Sequence, residues 1–399
     1  MSVAPPTGFV VLHGNRLEDL RDLVIEAIRD RPLLPLERET FLVQSNGMKH
    51  WLQQALADDT AFGICAATDI DLPSTFLWRA YRAVLGRGAV PQQLVFDKGA
   101  LTWRLLRLLP ACVTADETLY APLAHYLHGD DDGRRAWQLA QQVADVFDGY
   151  QQYRADWLEA WERGDDSVVP PEHGWQPALW RALRADVGTR HENTSRAAVH
   201  RAFVDAMGAH EGSRPPGLPP RLFVFGISAL PMQSVEALAQ LGRVCQVIVA
   251  VQNPSQYHWA DIVEGRELLK QLARHRRAPR ADLDQHAEAP PLLASLGKQG
   301  RDYLHLLDDF DQTEDRPHQL PRVDCFTDPG KATRLARLQS AILNLEPLPA
   351  QPEDVARDGS IVFVQAHSAQ REVEVLHDRL LALLDQDEML QPSDIMVMV

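Results

Sequence analysis

The stretch FVVLHGNRLEDL, at residues 9–20, constrains the fold more than any other part of the chain. It reads as an apolar strand, a tight turn and an amphipathic helix, which is the βα unit of nucleotide-binding sheets. A phosphate-binding loop at this position needs two spaced glycines followed by Lys and Ser or Thr. Only Gly14 is present, and Glu18 and Asp19 fall in the first helical turn, where they would repel a triphosphate. The unit therefore predicts an α/β fold whose ATP site is inactive.

Further strands and helices alternate along the chain, as they do in parallel sheets. A strand at 40–44 ends at Ser45-Asn46-Gly47, and a helix follows from Met48. In a parallel sheet, ligands bind at the carboxyl ends of the strands. We therefore expect the polar turns that follow the strands to lie on one sheet edge. These turns are 13–15, 44–47 and 253–255.

The segment from Thr75 to residue 207 has a different pattern, with long stretches of helical periodicity. Seven of the nine tryptophans fall in it, and we expect most of their rings to be core. The pattern predicts an α-helical domain inserted into the α/β sheet. Its expected helices span 75–86, 97–110, 117–127, 134–152, 175–188 and 195–207.

A proline-rich linker at 215–220 precedes a second α/β section, with a strand at 222–225, a helix at 232–242 and a strand at 246–252. The last unit is predicted as strand 361–365, helix 370–384 and strand 395–399. Because the chain stops inside an apolar strand, we expect a longer protein. The predicted domains are 1–74 and 208–345 (two parts of one α/β domain), 75–207 (the helical insertion) and 346–399 (the start of a second α/β domain).

The composition excludes several classes of protein. A formal net charge of −15 argues against a protein that coats polyanions generally. A basic segment at 266–280 is open to two interpretations, a solvated helix end or a surface for nucleic acid or a partner. No apolar run is long enough for a membrane span, and the first residues do not resemble a signal peptide. The four cysteines lack metal-ligand spacing, so we expect buried free thiols and a cytoplasmic protein.

Motifs for catalysis are missing as well. The strand 222–225 occupies the place where an NTPase carries acidic residues for Mg²⁺, but Gly226 and Ile227 follow it. The acidic run Asp130-Asp131-Asp132 lies between glycines, which is typical of a solvated turn, with a metal site as the alternative. No GxSxG or HExxH motif is present.

Several long segments, in order along the chain, share their pattern with one family of proteins. The segments are HGNRLEDL (13–20), LVQSNGMKHWLQ (42–53), FGICAATDIDLPSTFLW (62–78), ADVFDGYQQYRADWLEAWE (144–162), PPGLPPRLFVFGISALP (215–231), LLASLGKQGRDYLHLL (292–307) and QREVEVLHDRLLALL (370–384). Together they resemble the RecC family, the gamma subunits of the bacterial RecBCD helicase–nuclease (exodeoxyribonuclease V). The resemblance implies an inactive superfamily-one helicase-like parallel-sheet domain, an inserted α-helical domain and the start of a second helicase-like α/β domain.

The resemblance also implies a function. The chain would guide unwound single-stranded DNA and recognise a Chi-type signal during double-strand break repair, beside RecB-like and RecD-like subunits. ATP and Mg²⁺ would be used by those partners, with no cofactor bound here and no ATPase or nuclease activity in this chain. A purely architectural scaffold and an active helicase are the competing interpretations.

The family's DNA-contact positions fall on eleven residues of this sequence. They are Gln44, Asn46, His50, Leu72, Trp78, Asp145, Val146, Asp148, Gly149, Arg154 and Arg196. Amides and Arg can pair with base edges, and Trp can stack on any base. Three simpler interpretations stay open: core packing for Trp78, surface carboxylates for Asp145 and Asp148, and a turn residue for Asn46. Asn46, His50 and Gly149 depart from the family pattern, which implies a different or less strictly read DNA sequence.

Overall fold

Within the residues that the structure describes, the protein forms a six-stranded parallel sheet with helices on both faces. The computed structural model describes residues 5–92, 94–189, 191–210, 213–260, 290–311, 323–347 and 358–398. The strand order is β3-β2-β4-β5-β1-β6, and every pairing is parallel. The predicted α/β parallel sheet is therefore confirmed. The strands are β1 (Gly8–Gly14), β2 (Glu39–Val43), β3 (Thr68–Asp71), β4 (Arg221–Phe225), β5 (Gln246–Gln252) and β6 (Val323–Cys325).

Fourteen α-helices are present in the described part of the chain. They are α1 (Leu17–Asp30), α2 (Asn46–Ala57), α3 (Pro73–Leu85), α4 (Lys98–Ala115), α5 (Ala121–Leu127), α6 (Arg134–Tyr153), α7 (Ala155–Glu162), α8 (Trp175–Val187), α9 (Arg196–Gly208), α10 (Met232–Leu241), α11 (Pro291–Leu296), α12 (Lys298–Asp311), α13 (Arg334–Leu343) and α14 (Ala369–Gln386).

The sheet is buried on both faces because successive strand residues point to opposite sides. Val10 and Leu12 of β1 join one core together with residues of α1 and α2. Phe9 and Val11 join the other core, which includes residues of α3, α9 and α10. Strands of this kind read as continuous apolar runs, which is why four of them are recognisable in the sequence.

The helices from α4 to α8 have a hydrophobic core of their own, which includes Phe147, Trp161 and Trp180. The flanking helices α3 and α9 pack on the sheet instead, through residues such as Phe76 and Phe203. The expectation that most tryptophans are core is met only in part, since Trp161 and Trp180 are fully buried but Trp103 is 65% exposed. The domain limits given above stay predictions.

The predicted C-terminal strands are wrong for the residues described. Residues 361–365 and 395–398 belong to no strand of the sheet, and Phe363 is 95% exposed. A β-strand needs a neighbour for its backbone groups, and an apolar sequence alone does not supply one. The helix between them is present as α14, and Ser368 Oγ accepts a hydrogen bond from the Arg371 amide at 3.2 Å as its N-cap.

Three further features of the sequence are the basic segment, the absence of a long apolar run and the four cysteines. The basic segment 266–280 lies outside the described residues. Across the described ranges, no helix is long and apolar enough to cross a membrane. All four cysteines are free, although only Cys245 is buried.

Candidate nucleic-acid interface

The polar turns that follow the strands lie on one edge of the sheet. The Asn253 amide, after β5, donates to the carbonyl of Gly14, the last residue of β1, at 2.8 Å. Gln44 follows β2, and its Oε1 accepts from the hydroxyl of Ser228, after β4, at 3.5 Å. Each predicted turn is thus joined to the exit of a neighbouring strand.

The turn after β1 is closed by its own side chain. Asn15 Nδ2 donates to the Thr327 carbonyl at 2.7 Å, and Asn15 Oδ1 accepts from the Thr327 amide at 2.9 Å. A Cβ at Gly14 would lie 2.5 Å from the Cys325 carbonyl oxygen, so only glycine fits. The place where an NTPase cradles phosphate is therefore tied to the loop after β6.

A cleft of about 290 Å³ opens at the other half of this edge. Four of the eleven family positions line it, and they come from three separate segments of the sequence: Gln44, the pair Leu72 and Trp78, and Arg196. The remaining lining residues are Pro73, Ser74, Leu77, Tyr81, Gln152, Leu230, Pro231, Gln233 and Ser234. The cleft thus combines amides, a partly exposed indole, a guanidinium and an apolar floor.

Trp78 and Arg196 form the centre of the cleft wall. The Trp78 ring packs edge-on to Tyr81 at 5.6 Å between centroids, and Arg196 Cζ lies 6.0 Å from the Trp78 ring. Arg196 Nε and Asp148 Oδ1 are 3.5 Å apart, and neither atom makes a hydrogen bond. Arg196 Nη2 is also 3.5 Å from Asp97, whose pKa is raised by burial. Charge attraction therefore holds the guanidinium beside the indole while part of its hydrogen-bonding capacity is unused.

A buried polar chain, which the sequence did not indicate, supports this wall. The Tyr81 hydroxyl is 3.1 Å from His200 Nδ1, and His200 Nε2 is 2.9 Å from Glu236. The carboxylate can only accept, so Nε2 bears a proton, and in the neutral ring Nδ1 then accepts from the hydroxyl. Burial raises the pKa of Tyr81, which keeps it a donor. This chain fixes the ring on which Trp78 packs.

The family positions on α6 flank the cleft. Asp145 is exposed and pairs with Lys98, whereas Asp148 reaches Arg196. Val146 is 45% exposed. A Cβ at Gly149 would have no heavy atom within 4 Å, so the helix surface is open there.

Arg154 lies at the junction of α6 and α7. It forms two hydrogen bonds with Asp156, at 3.1 and 2.9 Å, and its Cζ lies 3.9 Å from the Trp157 ring. These hydrogen bonds lower the pKa of Asp156. Arg154 does not line the cleft.

Asn46 and His50 are exposed in the first turns of α2, and neither lines the cleft. Ser45 is the N-cap, accepting from the Met48 amide at 3.2 Å. The structure therefore brings Gln44, Leu72, Trp78 and Arg196 together, with Asp148 in contact, and leaves the other family positions at the rim or on nearby helices.

No group of three metal-ligating side chains occurs among the residues that the structure describes. The acidic run at 130–132 is a helix cap. Asp130 accepts from the amides of Arg135 and Ala136, at 3.1 and 2.8 Å, and these bonds lower its pKa. The turn interpretation of this run is the one that these bonds support.

The geometry defines a parallel α/β protein with a polar and aromatic cleft at the carboxyl edge of its sheet. A family model, RecC, N-terminal domain, matches residues 9–345. This chain belongs to the RecC family.

RecC subunits of three bacteria are similar in sequence to this chain. The RecBCD enzyme subunit RecC of Escherichia coli strain K12 is 37% identical over 98% of this chain and 36% of its own length. The RecC subunit of Haemophilus influenzae is 32% identical over 98% of this chain and 38% of its own length. That of Mycobacterium tuberculosis is 28% identical over 98% of this chain and 34% of its own length. The chain thus spans between a third and two fifths of these relatives.

Proposed function

We propose that the cleft binds single-stranded DNA and reads its bases as the strand passes over the sheet edge. One observation supports this most strongly: four residues from three distant segments, each matching a family contact position, line a single cleft. Core packing alone does not require a tryptophan, an arginine and an amide to converge on an open surface.

The chemistry of the cleft suits unpaired bases. A base can stack on the Trp78 ring, and stacking of this kind tolerates any sequence. Gln44 offers a donor and an acceptor to a base edge, and Arg196 can pair with guanine or a phosphate. Asp148 keeps Arg196 in place, so the positive charge of the guanidinium stays at one position in the cleft.

In the whole protein, we propose that this chain is the non-catalytic, signal-reading part of a RecBCD-type helicase–nuclease. RecB-like and RecD-like subunits would use ATP and Mg²⁺ to move and cut the DNA, and the signal would be of the Chi type. The α/β frame would be helicase-like, with the helical unit inserted into it. The hydrogen bonds between Asn15 and Thr327 at the turn after β1 support a frame that contributes no phosphate cradle.

The test uses the assembled complex and DNA that carries a Chi-type signal. Gln44→Ala and Arg196→Ala are compared with wild type for their response to the signal and for unwinding rate. We expect a reduced response with unwinding intact, because the changes alter base contacts and leave the motors untouched.

Two outcomes would contradict the proposal. An unchanged response in both variants would remove the site assignment. Loss of unwinding together with the response, in every variant, would favour an architectural role. Lys49→Ala, an adjacent change on α2 outside the family positions, serves as the control and should behave as wild type.

A further inference from the structure

A second groove, of about 700 Å³, adjoins the cleft. Leu230 and Pro231 line both, so the two depressions share one wall. On α6, Gln152 lines the cleft and its neighbour Tyr153 lines the groove, and Gln152 Nε2 donates to the Tyr153 hydroxyl at 3.4 Å. The two depressions therefore form one continuous surface.

The groove exposes side chains that a stable core would bury. Tyr153 is 67% exposed, Met232 is 63% exposed and Leu296 is 80% exposed. Lys298 lies among them, exposed, and forms no ion pair with any described residue. An aromatic ring and a cation side by side are typical of sites for single-stranded nucleic acid.

The far wall of the groove is built by the segment LLASLGKQGRDYLHLL, which none of the family contact positions explains. Its turn rests on Trp259. A Cβ at Gly297 would lie 2.3 Å from the Leu293 carbonyl oxygen and 2.8 Å from the Trp259 ring. Trp259 Nε1 in turn donates to Asn253 Oδ1 at 2.8 Å, at the exit of β5. The wall is thus fixed to the same sheet edge as the cleft.

We propose that the groove holds the continuation of the single DNA strand beyond the cleft. A base would stack on Tyr153 against Met232, and a backbone phosphate would lie beside Lys298. Asp302 also lines the groove, one helical turn after Lys298 on α12, so the phosphate would lie on the side of Lys298 that faces away from that carboxylate. This inference rests on the proposed function and extends it by a second nucleotide subsite.

The test maps the strand by photo-cross-linking in the assembled complex. Oligonucleotides of identical sequence carry one 4-thiothymidine at successive positions, and cross-linked peptides of this chain are identified by mass spectrometry. We expect one position to cross-link to the peptide with Trp78 and an offset position to the peptide with Tyr153. Tyr153→Ala should lower the second yield by about ten-fold and leave the first unchanged. Tyr153→Phe should retain both.

The controls separate this inference from the function on which it rests. Tyr126→Ala removes an exposed tyrosine of the helical unit that lines neither depression, and it should change neither yield. Cross-links at Trp78 with none in the groove at any position would overturn the proposal for the groove and leave the proposed function standing. Cross-links at neither place would overturn the proposed function. A groove filled by a partner subunit would appear as protein–protein cross-links from a photoreactive residue at position 153, and would also overturn the inference.

Discussion

At the scale of single residues, one buried ion pair holds the sheet at the end opposite the cleft. Arg221 and Glu39 begin neighbouring strands, Arg221 is 1% exposed, and Arg221 Nε donates to Glu39 at 3.0 Å. Glu39→Ala leaves the guanidinium buried without its partner, so we expect a loss of about 3–5 kcal/mol in the free energy of unfolding. Urea unfolding followed by circular dichroism measures it.

The control for that prediction is an exposed pair. Arg371 and Glu374 are 3.0 Å apart on α14, with about half of each side chain exposed. Glu374→Ala should cost less than about 1 kcal/mol. Equal losses in the two variants would contradict the argument from burial.

Single residues also show which parts of the site could not be predicted from the sequence. Gln44, Leu72, Trp78 and Arg196 were assigned by resemblance to a family, and only the fold brings them to one cleft. The chain from Tyr81 through His200 to Glu236 had no sequence signal, because its members are 119 and 36 residues apart. Contacts over such separations depend on the packing of α3, α9 and α10.

At the scale of elements, the turn between α11 and α12 depends on the absence of a side chain. Gly297→Ala would force a Cβ into the Leu293 carbonyl and the Trp259 ring, so we expect a loss of about 1–3 kcal/mol in stability. Gly99→Ala on α4 is the matched change, since nothing lies within 4 Å of its Cβ, and it should gain about 0.5–1 kcal/mol. Thermal unfolding compares the two, and a neutral Gly297→Ala would contradict the packing described.

The N-terminus of α6 should respond to acid through Asp130. Its folded pKa lies below the usual 3.8 because two helix amides bind the ionised form. The stabilisation is therefore complete above the unfolded pKa and is lost as the pH falls through the lower folded pKa. Asp130→Asn should lower the unfolding temperature at pH 7, and the difference from wild type should vanish in acid, once the pH is below that lowered folded pKa.

The neighbouring Asp131 provides the control for that effect. Among the described residues it caps no amide, so Asp131→Asn should match wild type at both pH values. A difference between Asp130→Asn and wild type that persisted unchanged in acid would show that the carboxylate charge is not its cause.

The strands show which elements a sequence specifies. β1, β2, β4 and β5 are apolar runs buried on both faces, so composition alone predicted them. β3 reads Thr-Asp-Ile-Asp with only Ile70 buried, and β6 has three residues, so neither stands out. The opposite error occurred at 361–365 and 395–398, where apolar sequence meets no neighbouring strand. In these segments, a neighbouring strand to pair with decides whether a β-strand forms, and composition does not.

At the scale of the whole molecule, net charge limits how DNA is held. A chain with a formal net charge of −15 cannot attract a polyanion over its whole surface. Arg196 lines the cleft, Lys298 lines the groove, and Arg154 directly follows Tyr153 of the groove in the sequence. If each neutralises one phosphate, the contribution of this chain to the salt dependence is a slope of about −2 in log affinity against log salt. Replacing all three by Ala should reduce the slope of the complex by that amount, and an unchanged slope would contradict the path.

The central claim, that the cleft binds single-stranded DNA through Trp78, is tested most directly by affinity. Fluorescence anisotropy compares the assembled complex containing wild-type chain, Trp78→Ala or Trp103→Ala, each with the same labelled single strand. Trp103 is 65% exposed but lies outside the cleft. Trp103→Ala therefore removes the same kind of side chain as Trp78→Ala without altering the cleft. We predict that Trp78→Ala weakens binding by about ten-fold or more, the worth of one stacked base, and that Trp103→Ala binds as wild type. Equal affinity in all three would contradict the claim.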